Sequence, residues 1–253
     1  MKTKKKYIVA LDQGTTSSRA ILFNTAGKPI FKSQLEFKQY FPKNGWVEHN
    51  PEEIWSTTKK VLINIINKSK KINGKILAIG ITNQRETTIM WDRITGKPVY
   101  NAIVWQDRRT ADFCNKFKSK ISEYTISKKT GLLINPYFSG TKIKWIIENV
   151  KKAKQLLKKK QLLFGTVDTF LLWKLTKGAA HATDATNASR TMLYNITSNN
   201  WDKQILNKLK IPKHILPKVK NSADNFGATH ESITGKSYPI TSMIGDQQAA
   251  SVG

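Results

Sequence analysis

Residues 8–19 of the chain have the sequence IVALDQGTTSSR. The apolar residues 7–11 predict a buried strand, and residues 19–23 predict a second strand after a turn rich in glycine and hydroxyl residues. Residues 30–37 predict a third strand. The chain therefore opens with three strands joined by short turns, not with a strand–helix–strand unit, and a carboxylate follows the first buried strand.

A helix is predicted to begin at Asn50, a preferred N-cap residue. Pro51 suits the first helical position, and Glu53 stands at the spacing of a capping box. Apolar residues then recur at helical intervals, at Ile54, Val61, Leu62, Ile65 and Ile66. Residues 76–81 are all apolar or glycine and predict a strand buried between two layers.

The rest of the chain continues to mix helices with strands. Helices are predicted at residues 108–117, 142–150 and 167–175, and strands at residues 87–91, 162–164 and 239–245. This alternation predicts one α/β domain over residues 1–253, with a mixed β-sheet flanked by helices.

The chain carries a formal net charge of +26, from 43 Lys and Arg against 17 Asp and Glu. One explanation is nucleic-acid binding by clustered cations, and the other is lysine spread over solvated faces. Specific readers of bases favour arginine, because its planar fork makes paired hydrogen bonds. Since almost all the positive charge here is lysine, we expect no specific nucleic-acid partner.

Other classes of protein fit the sequence poorly. No apolar stretch approaches the roughly 20 residues of a membrane span, and Cys114, the single cysteine, excludes an internal disulfide. The basic residues 2–6 precede an apolar run that stops at Asp12, unlike a signal peptide. We therefore expect a cytoplasmic protein without a membrane span. The four histidines lie far apart and show no metal-ligand spacing.

The turn at residues 12–17, DQGTTS, is a candidate phosphate site. Backbone turns whose N–H and O–H groups face one point bind anions, and a neighbouring carboxylate suits Mg²⁺. The spacing of a Walker loop is absent. The alternative is an ordinary hairpin turn rich in threonine and serine.

Other candidate residues are charged or aromatic side chains in three further segments. Arg85 and Glu86 follow the apolar strand where open α/β sheets place ligands, or they form an exposed ion pair of little consequence. Trp105 and Tyr137 can wall a small pocket, although a lone tryptophan more often packs in a core. Asp246 follows a strand and a glycine and is either a general base or a helix N-cap.

Together these segments resemble the FGGY carbohydrate kinases, especially those that act on glycerol. The similar segments, in the family's order, are residues 8–19, 80–88, 101–106, 135–142, 164–169, 186–192 and 245–250. The resemblance covers essentially the whole chain. It implies the actin-like, ribonuclease-H-like ATPase fold, in which two lobes close around ATP and Mg²⁺.

The resemblance also implies roles for individual residues. The phosphates of ATP would lie against Thr15, Thr16, Ser17 and Arg19. Glycerol would lie among Arg85, Glu86, Trp105, Tyr137, Asp246 and Gln247, with the tryptophan against its carbons. Asp246 would take the proton from the attacking hydroxyl, and Asp12 and Asp246 would place Mg²⁺.

The activity implied is ATP-dependent phosphorylation of glycerol to sn-glycerol 3-phosphate. Family members continue with a second lobe that carries the adenine pocket, so we expect this chain to be the N-terminal lobe, without significant activity alone. A homo-oligomer is compatible with the full-length form. Residues 229–238 lack the glycine-rich, arginine-ended loop used for sugar-bisphosphate inhibition. The other hypotheses are a polyol-binding remnant without chemistry and a basic nucleic-acid-binding protein.

Overall fold

The computed structural model describes residues 4–253, so residues 1–3, the start of the basic N-terminal stretch, lie outside the described residues. The strands are β1 (Lys5–Gln13), β2 (Ser17–Asn24), β3 (Pro29–Glu36), β4 (Gln39–Tyr40), β5 (Glu48–His49), β6 (Gly74–Asn83), β7 (Ile89–Asp92), β8 (Ala102–Ile103), β9 (Leu162–Gly165), β10 (Ala182–Asp184), β11 (Tyr194–Asn195), β12 (Asn200–Trp201), β13 (Lys218–Lys220) and β14 (Ile240–Gly245).

The helices are α1 (Pro51–Lys71), α2 (Ala111–Phe117), α3 (Glu123–Thr130), α4 (Ser139–Asn149), α5 (Lys151–Lys158), α6 (Val167–Leu175), α7 (Ala185–Ala188), α8 (Lys203–Leu209), α9 (Glu231–Thr234) and α10 (Asp246–Val252). Short 3₁₀ turns occupy Ser189–Thr191 and Lys213–Ile215. Within residues 4–253, none of these helices is long and apolar enough to cross a membrane.

The central sheet has five strands in the order β14, β6, β1, β2, β3. The predicted opening of three strands is confirmed, because β1, β2 and β3 pair antiparallel in sequence. Strands β6 and β14 add to the other side in parallel with β1. Gln13 is level with Asn83, and Asn83 with Gly245, so the three parallel strands end together. The residues that follow each strand therefore meet at one edge of the sheet.

Helix α1 covers the sheet with a buried stripe. Its apolar residues at helical spacing are almost completely inaccessible: Ile54, Val61, Leu62, Ile65 and Ile66. They join a core that also contains the inward side chains of β1, β2 and β6. A second core lies around β7, β9, α4 and α8. The predicted mixed α/β architecture is confirmed.

Two local expectations need correction. Strand β6 is not buried on both faces, because Ile79 and Ile81 are buried whereas Ala78 and Gly80 are partly exposed. Alternate side chains of a strand point to opposite faces, and the second face is only partly covered within the described residues. The capping box at α1 does not form, although Asn50 is the N-cap. The Asn50 side chain accepts from the Glu52 N–H at 2.9 Å.

The carboxylate of Glu53 does not complete that box. It accepts from the hydroxyl of Tyr40 at 2.6 Å and from the N–H of Lys38 at 3.1 Å. These donors lie on the segment around β4 and compete with the N–H of Asn50 for the same oxygens. Glu53 therefore ties α1 to its neighbouring strand instead of closing the helix terminus.

We expect Asn50→Ala to lower the free energy of unfolding by about 1 kcal/mol, because the first turn of α1 loses a side-chain acceptor. Urea unfolding followed by circular dichroism measures this difference. The control is Asn67→Ala on the exposed face of the same helix, which should stay within about 0.5 kcal/mol of the parent. Equal losses for the two variants would contradict the capping role.

Candidate active site

A small cavity of about 90 Å³ lies where the parallel strands end. Its lining consists of Thr15, Arg85, Glu86, Trp105, Tyr137, Asp246 and Gln247. All the residues that the resemblance assigns to glycerol are in this lining, although they come from separate parts of the sequence. Pockets for drug-sized ligands begin at roughly 300 Å³, so this cavity suits a molecule of few heavy atoms.

Glu86 adopts a strained backbone conformation. Its φ is +60°, in the left-handed region that side chains other than glycine rarely enter. The N–H of Thr87 donates to the carbonyl of Arg85 at 2.6 Å, which closes a γ-turn of the rarer, strained kind around Glu86. Such a conformation costs of the order of 1–3 kcal/mol and persists only where the surroundings hold it. The turn directs Glu86 into the cavity lining.

The carboxylate of Glu86 is buried and paired. Arg190 donates from Nε to Oε1 of Glu86 at 2.7 Å. Burial raises the pKa of Glu86, while the charges of Arg190, Arg85 and Lys142 act against this rise. Among residues 4–253, no donor makes a hydrogen bond to the second oxygen, Oε2. That oxygen can therefore accept a hydrogen bond from a ligand.

Arg190 is a site residue that the sequence analysis did not assign. Its guanidinium lies 5.0 Å from the ring centroid of Phe138 and 5.8 Å from that of Tyr137, in addition to its bond to Glu86. The signal was present, because Arg190 falls in the family-like segment 186–192. Its role depends on a contact across the fold that no local pattern reveals.

Arg85 links the ends of β6 and β14. Its side chain is 4% exposed, its Nε lies 3.4 Å from Oδ1 of Asp246, and its Nη1 donates to Oε1 of Gln248 at 3.1 Å. A Cβ at Gly245 would lie 2.4 Å from Cδ of Arg85. Only glycine allows this close approach, so Gly245 is required for Arg85 to lie beside Asp246.

Trp105 and Tyr137 form the aromatic wall. Their ring centroids are 5.6 Å apart and tilted by 58°, and Nε1 of Trp105 donates to Oγ1 of Thr15 at 3.2 Å. Trp105 is half-buried and faces the cavity, which disfavours the core-packing alternative. Burial is the largest effect on the Tyr137 hydroxyl and raises its pKa, so it stays protonated near neutral pH and can donate or accept.

The segment after Trp105 is anchored by a buried ion cluster. Arg109, whose side chain is inaccessible, donates from Nη2 to Glu48 at 2.7 Å and to Asp107 at 2.8 Å. Its guanidinium also stacks 3.7 Å from the ring centroid of Trp46. Because both carboxylates and a ring face hold one arginine, the segment that carries Trp105 has a fixed position.

Two carbonyl groups of the turn at residues 14–17 accept hydrogen bonds that stabilise its conformation. The N–H of Gly14 donates to the carbonyl of Ser17 at 2.9 Å, and the carbonyl of Thr15 accepts from Nε2 of Gln39 at 2.9 Å. Within the described part of the chain, the N–H groups of Thr15 and Thr16 donate no hydrogen bond. This arrangement leaves both donors for an anion.

Asp12 and Arg19 are opposite each other on β1 and β2 and form an ion pair. The structure thus joins the residue expected at Mg²⁺ to the one expected at the phosphates. The N-cap alternative for Asp246 is wrong. Asp246 is the first residue of α10, its side chain is 45% exposed, and the N-cap is Gly245.

Over residues 4–253, no three acidic, histidine or cysteine side chains cluster as a metal site.

The strand ends are joined by the inaccessible carboxylate of Asp184, which the sequence analysis did not assign. It accepts from the N–H and hydroxyl of Thr186 and from the N–H and side-chain amide of Asn187. The Thr186 hydroxyl accepts from the N–H of Gly245 at 2.8 Å. The amides of Asn187 and Asn83 bond to each other in both directions. Asp184 therefore fixes β6 relative to β14.

His49 lies behind the turn at residues 14–17 and is completely buried. Burial lowers its pKa to about 4, so the ring is neutral. The ring lies 2.6 Å from Oε1 of Gln39, the residue whose amide supports Thr15, and 3.4 Å from Nε2 of Gln84. A neutral ring that donates at Nε2 and accepts at Nδ1 satisfies both contacts.

The fold and the site define a class of protein, the sugar-kinase branch of the actin-like ATPases. The chain belongs to the FGGY family of carbohydrate kinases, and residues 7–253 match that family's N-terminal domain.

Named relatives agree with this assignment. The chain is 57% identical over 247 residues to a glycerol kinase of Rhizobium meliloti (strain 1021), covering 98% of this chain and 50% of the relative. The crystal structure of Plasmodium falciparum glycerol kinase with ADP superposes with a TM-score of 0.95 at 38% identity, over 98% of this chain and 50% of that one. The crystal structure of gluconate kinase from Lactobacillus acidophilus superposes with a TM-score of 0.84 at 25% identity. It covers 96% of this chain and 48% of that one. The chain spans about half the length of the relatives it matches.

We expect acid to remove the contribution of His49 to stability. Its folded pKa lies below the usual 6.5, so between pH 6.5 and about 4 the unfolded chain binds more protons and stability falls as pH falls. The free energy of unfolding of the parent minus that of His49→Gln should decrease by about 2 kcal/mol when the pH is lowered from 7.5 to 5. Urea unfolding at both pH values measures it. The exposed His214, changed to Gln, serves as the control, and a pH-independent difference for His49→Gln would contradict the prediction.

Proposed function

We propose that this chain supplies the glycerol-binding and phosphate-binding half of an ATP-dependent glycerol kinase, which makes sn-glycerol 3-phosphate. The observation that carries the proposal is the small cavity, whose lining combines a carboxylate, a guanidinium, a phenol and an indole. The identity to glycerol kinases supports glycerol over larger sugars. Residues 1–253 are proposed to act as one domain, with the adenine pocket on a second lobe, in a cytoplasmic enzyme without a specific nucleic-acid partner.

Each part of glycerol has a matching group in the cavity. Oε2 of Glu86 accepts from a hydroxyl, and Arg85 and the amide of Gln247 donate to hydroxyl oxygens. Tyr137 can do either. Trp105 packs its ring against the carbon–hydrogen face of the substrate, which favours a short polyol over water.

Asp246 is proposed as the general base. Its carboxylate lies in the cavity lining beside Arg85, within reach of a hydroxyl held there. Removing the proton from that hydroxyl as it attacks phosphorus increases its nucleophilicity. The guanidinium of Arg85 lies beside this carboxylate, with Nε 3.4 Å from Oδ1. Since phosphoryl transfer depends mainly on positioning and charge neutralisation, these two residues carry much of what this half contributes.

The phosphates are proposed to lie against the turn at residues 15–17 and Arg19. The free N–H groups of Thr15 and Thr16 and the hydroxyls of the turn are suitable donors. ATP with Mg²⁺ supplies the transferable phosphoryl group and neutralises its charge. Mg²⁺ usually keeps several waters and uses only one or two carboxylates, so Asp12 and Asp246 fit it without a preformed cluster. Arg19 would then share Asp12 with the metal.

We expect the 253-residue chain to bind glycerol, and Glu86→Gln to weaken this binding at least about tenfold, because the acceptor loses its charge. Isothermal calorimetry measures both affinities. Glu231→Gln, on the exposed face of α9, is the matched control and should bind as the parent does. A five-carbon polyol should bind more weakly, because the cavity is small. Absence of glycerol binding in the parent would contradict the proposed function.

We expect Asp246→Asn to lower turnover by at least about 100-fold in a form that carries both lobes, because an amide cannot accept the proton. Glycerol affinity should be largely retained, since the amide still offers hydrogen bonds beside Arg85. ATP-dependent formation of glycerol 3-phosphate, together with calorimetry, measures the two effects separately. Turnover within tenfold of the parent would remove Asp246 from the role of base.

A further inference from the structure

Lys142 is a buried lysine on α4 that the reaction does not use. Its side chain is completely inaccessible. Its Nζ donates to the carbonyl of Tyr137 at 2.6 Å and lies 3.5 Å from the carbonyl of Glu86. Within residues 4–253, no carboxylate comes within 4.0 Å of this ammonium. The lysine therefore contacts the main chain of two residues that line the glycerol cavity.

The carbonyl of Glu86 is anchored to α4 a second time. Ser139, the first residue of the helix, donates from Oγ to this carbonyl at 3.0 Å. Thr88 donates to it from Oγ1 at 3.2 Å. These donors meet at the strained γ-turn, whose conformation needs support from its surroundings. Lys142 is the member of this group that also reaches Tyr137, a second residue of the cavity lining.

Packing alone does not account for a lysine here. Burial of an ammonium group is costly unless hydrogen bonds compensate for it, and an apolar side chain of similar length would fill the same space. Both acceptors of Lys142 belong to cavity residues. The arrangement therefore favours a role in the site over a role in filling the core.

We propose that Lys142 is a positioning residue, which holds Glu86 and Tyr137 at the separation that glycerol requires and makes glycerol affinity depend on pH. This inference rests on the proposed function of the same site. Lys142 touches neither substrate nor the reacting atoms and acts only through the main chain of Glu86 and Tyr137.

Burial lowers the pKa of Lys142 to about 7. Among the charged and titratable groups that face it, Glu86 and Asp107 favour the charged form and Arg109 opposes it. Burial also raises the pKa of the nearby Cys114 to about 11, so the thiol stays neutral while Lys142 titrates. The charged amine makes stronger hydrogen bonds to carbonyls and favours the ionised form of Glu86. Glycerol affinity should therefore decrease as pH rises through 7.

The first test compares Lys142→Met with Lys144→Met by calorimetric titration of glycerol at pH 6, 7 and 8. Lys144 lies on the same helix but pairs with Glu148. In the parent and in Lys144→Met, affinity should fall roughly fivefold from pH 6 to 8. Lys142→Met should bind roughly tenfold more weakly at pH 6, with a flat profile. A folded Lys142→Met that keeps the parent's affinity and pH profile would overturn the proposal.

A second readout does not depend on glycerol. The indole N–H of Trp105 donates to Thr15, and its ring packs on Tyr137, so its ¹⁵N resonance should move in Lys142→Met but not in Lys144→Met. If the parent does not bind glycerol, the proposed function fails, while this resonance still decides whether Lys142 positions Tyr137. An unshifted resonance would count against positioning.

Ser139→Ala covers the case in which Lys142→Met does not fold. It removes a neutral donor to the same carbonyl of Glu86, so affinity should fall about threefold while the pH profile is kept. Unchanged affinity in Ser139→Ala, together with a flat profile in the parent, would overturn the proposal without any Lys142 variant.

Discussion

The site depends on the hydrogen bonds that Asp184 accepts at the ends of the parallel strands. Its inaccessible carboxylate binds donors from Thr186 and Asn187, and also the hydroxyl of Ser222. Through these residues it fixes Asn83 at the end of β6 and Gly245 at the end of β14. A carboxylate with so many donors resists displacement, because each donor would otherwise be left buried and unpaired. The cavity is small and defined because the two strands on its floor cannot shift independently.

The strained backbone at Glu86 is stabilised by hydrogen bonds from α4. A γ-turn at a glutamate is unfavourable in isolation, yet it aims a carboxylate at a point between two strand ends. Ser139 and Lys142 hold its carbonyl, and Arg190 holds its carboxylate. The side-chain contacts thus compensate for the backbone conformation, and the carboxylate is positioned before a ligand arrives. Such pre-organisation lowers the cost of binding a small ligand that offers few contacts.

The sequence predicted the parts of the fold that depend on local pattern. The strands of the opening, helix α1 and helix α6 follow from periodicity and capping residues within each segment. Arg85, Glu86 and Asp246 were found because they follow predicted strands, whereas Trp105 and Tyr137 were found as aromatic residues beside polar groups. The roles proposed for all of them come from the resemblance. The γ-turn at Glu86 and the burial of Lys142 could not be predicted, because both depend on segments distant in sequence. In a chain with 43 Lys and Arg, no feature of the local sequence distinguishes the buried Lys142 from the exposed lysines.

The net charge of +26 and the charge of the site are separate properties. On α5 the lysines are exposed while Ala153 and Leu156 are buried, the ordinary arrangement of an amphipathic surface helix. At the cavity, by contrast, Arg85 is beside Asp246 and Arg190 is beside Glu86. Positive and negative groups are therefore matched where a neutral polyol is proposed to bind. Lysines on a solvated surface change the long-range field and salt response of the protein, whereas selection of an uncharged ligand depends on the paired groups within a few ångströms.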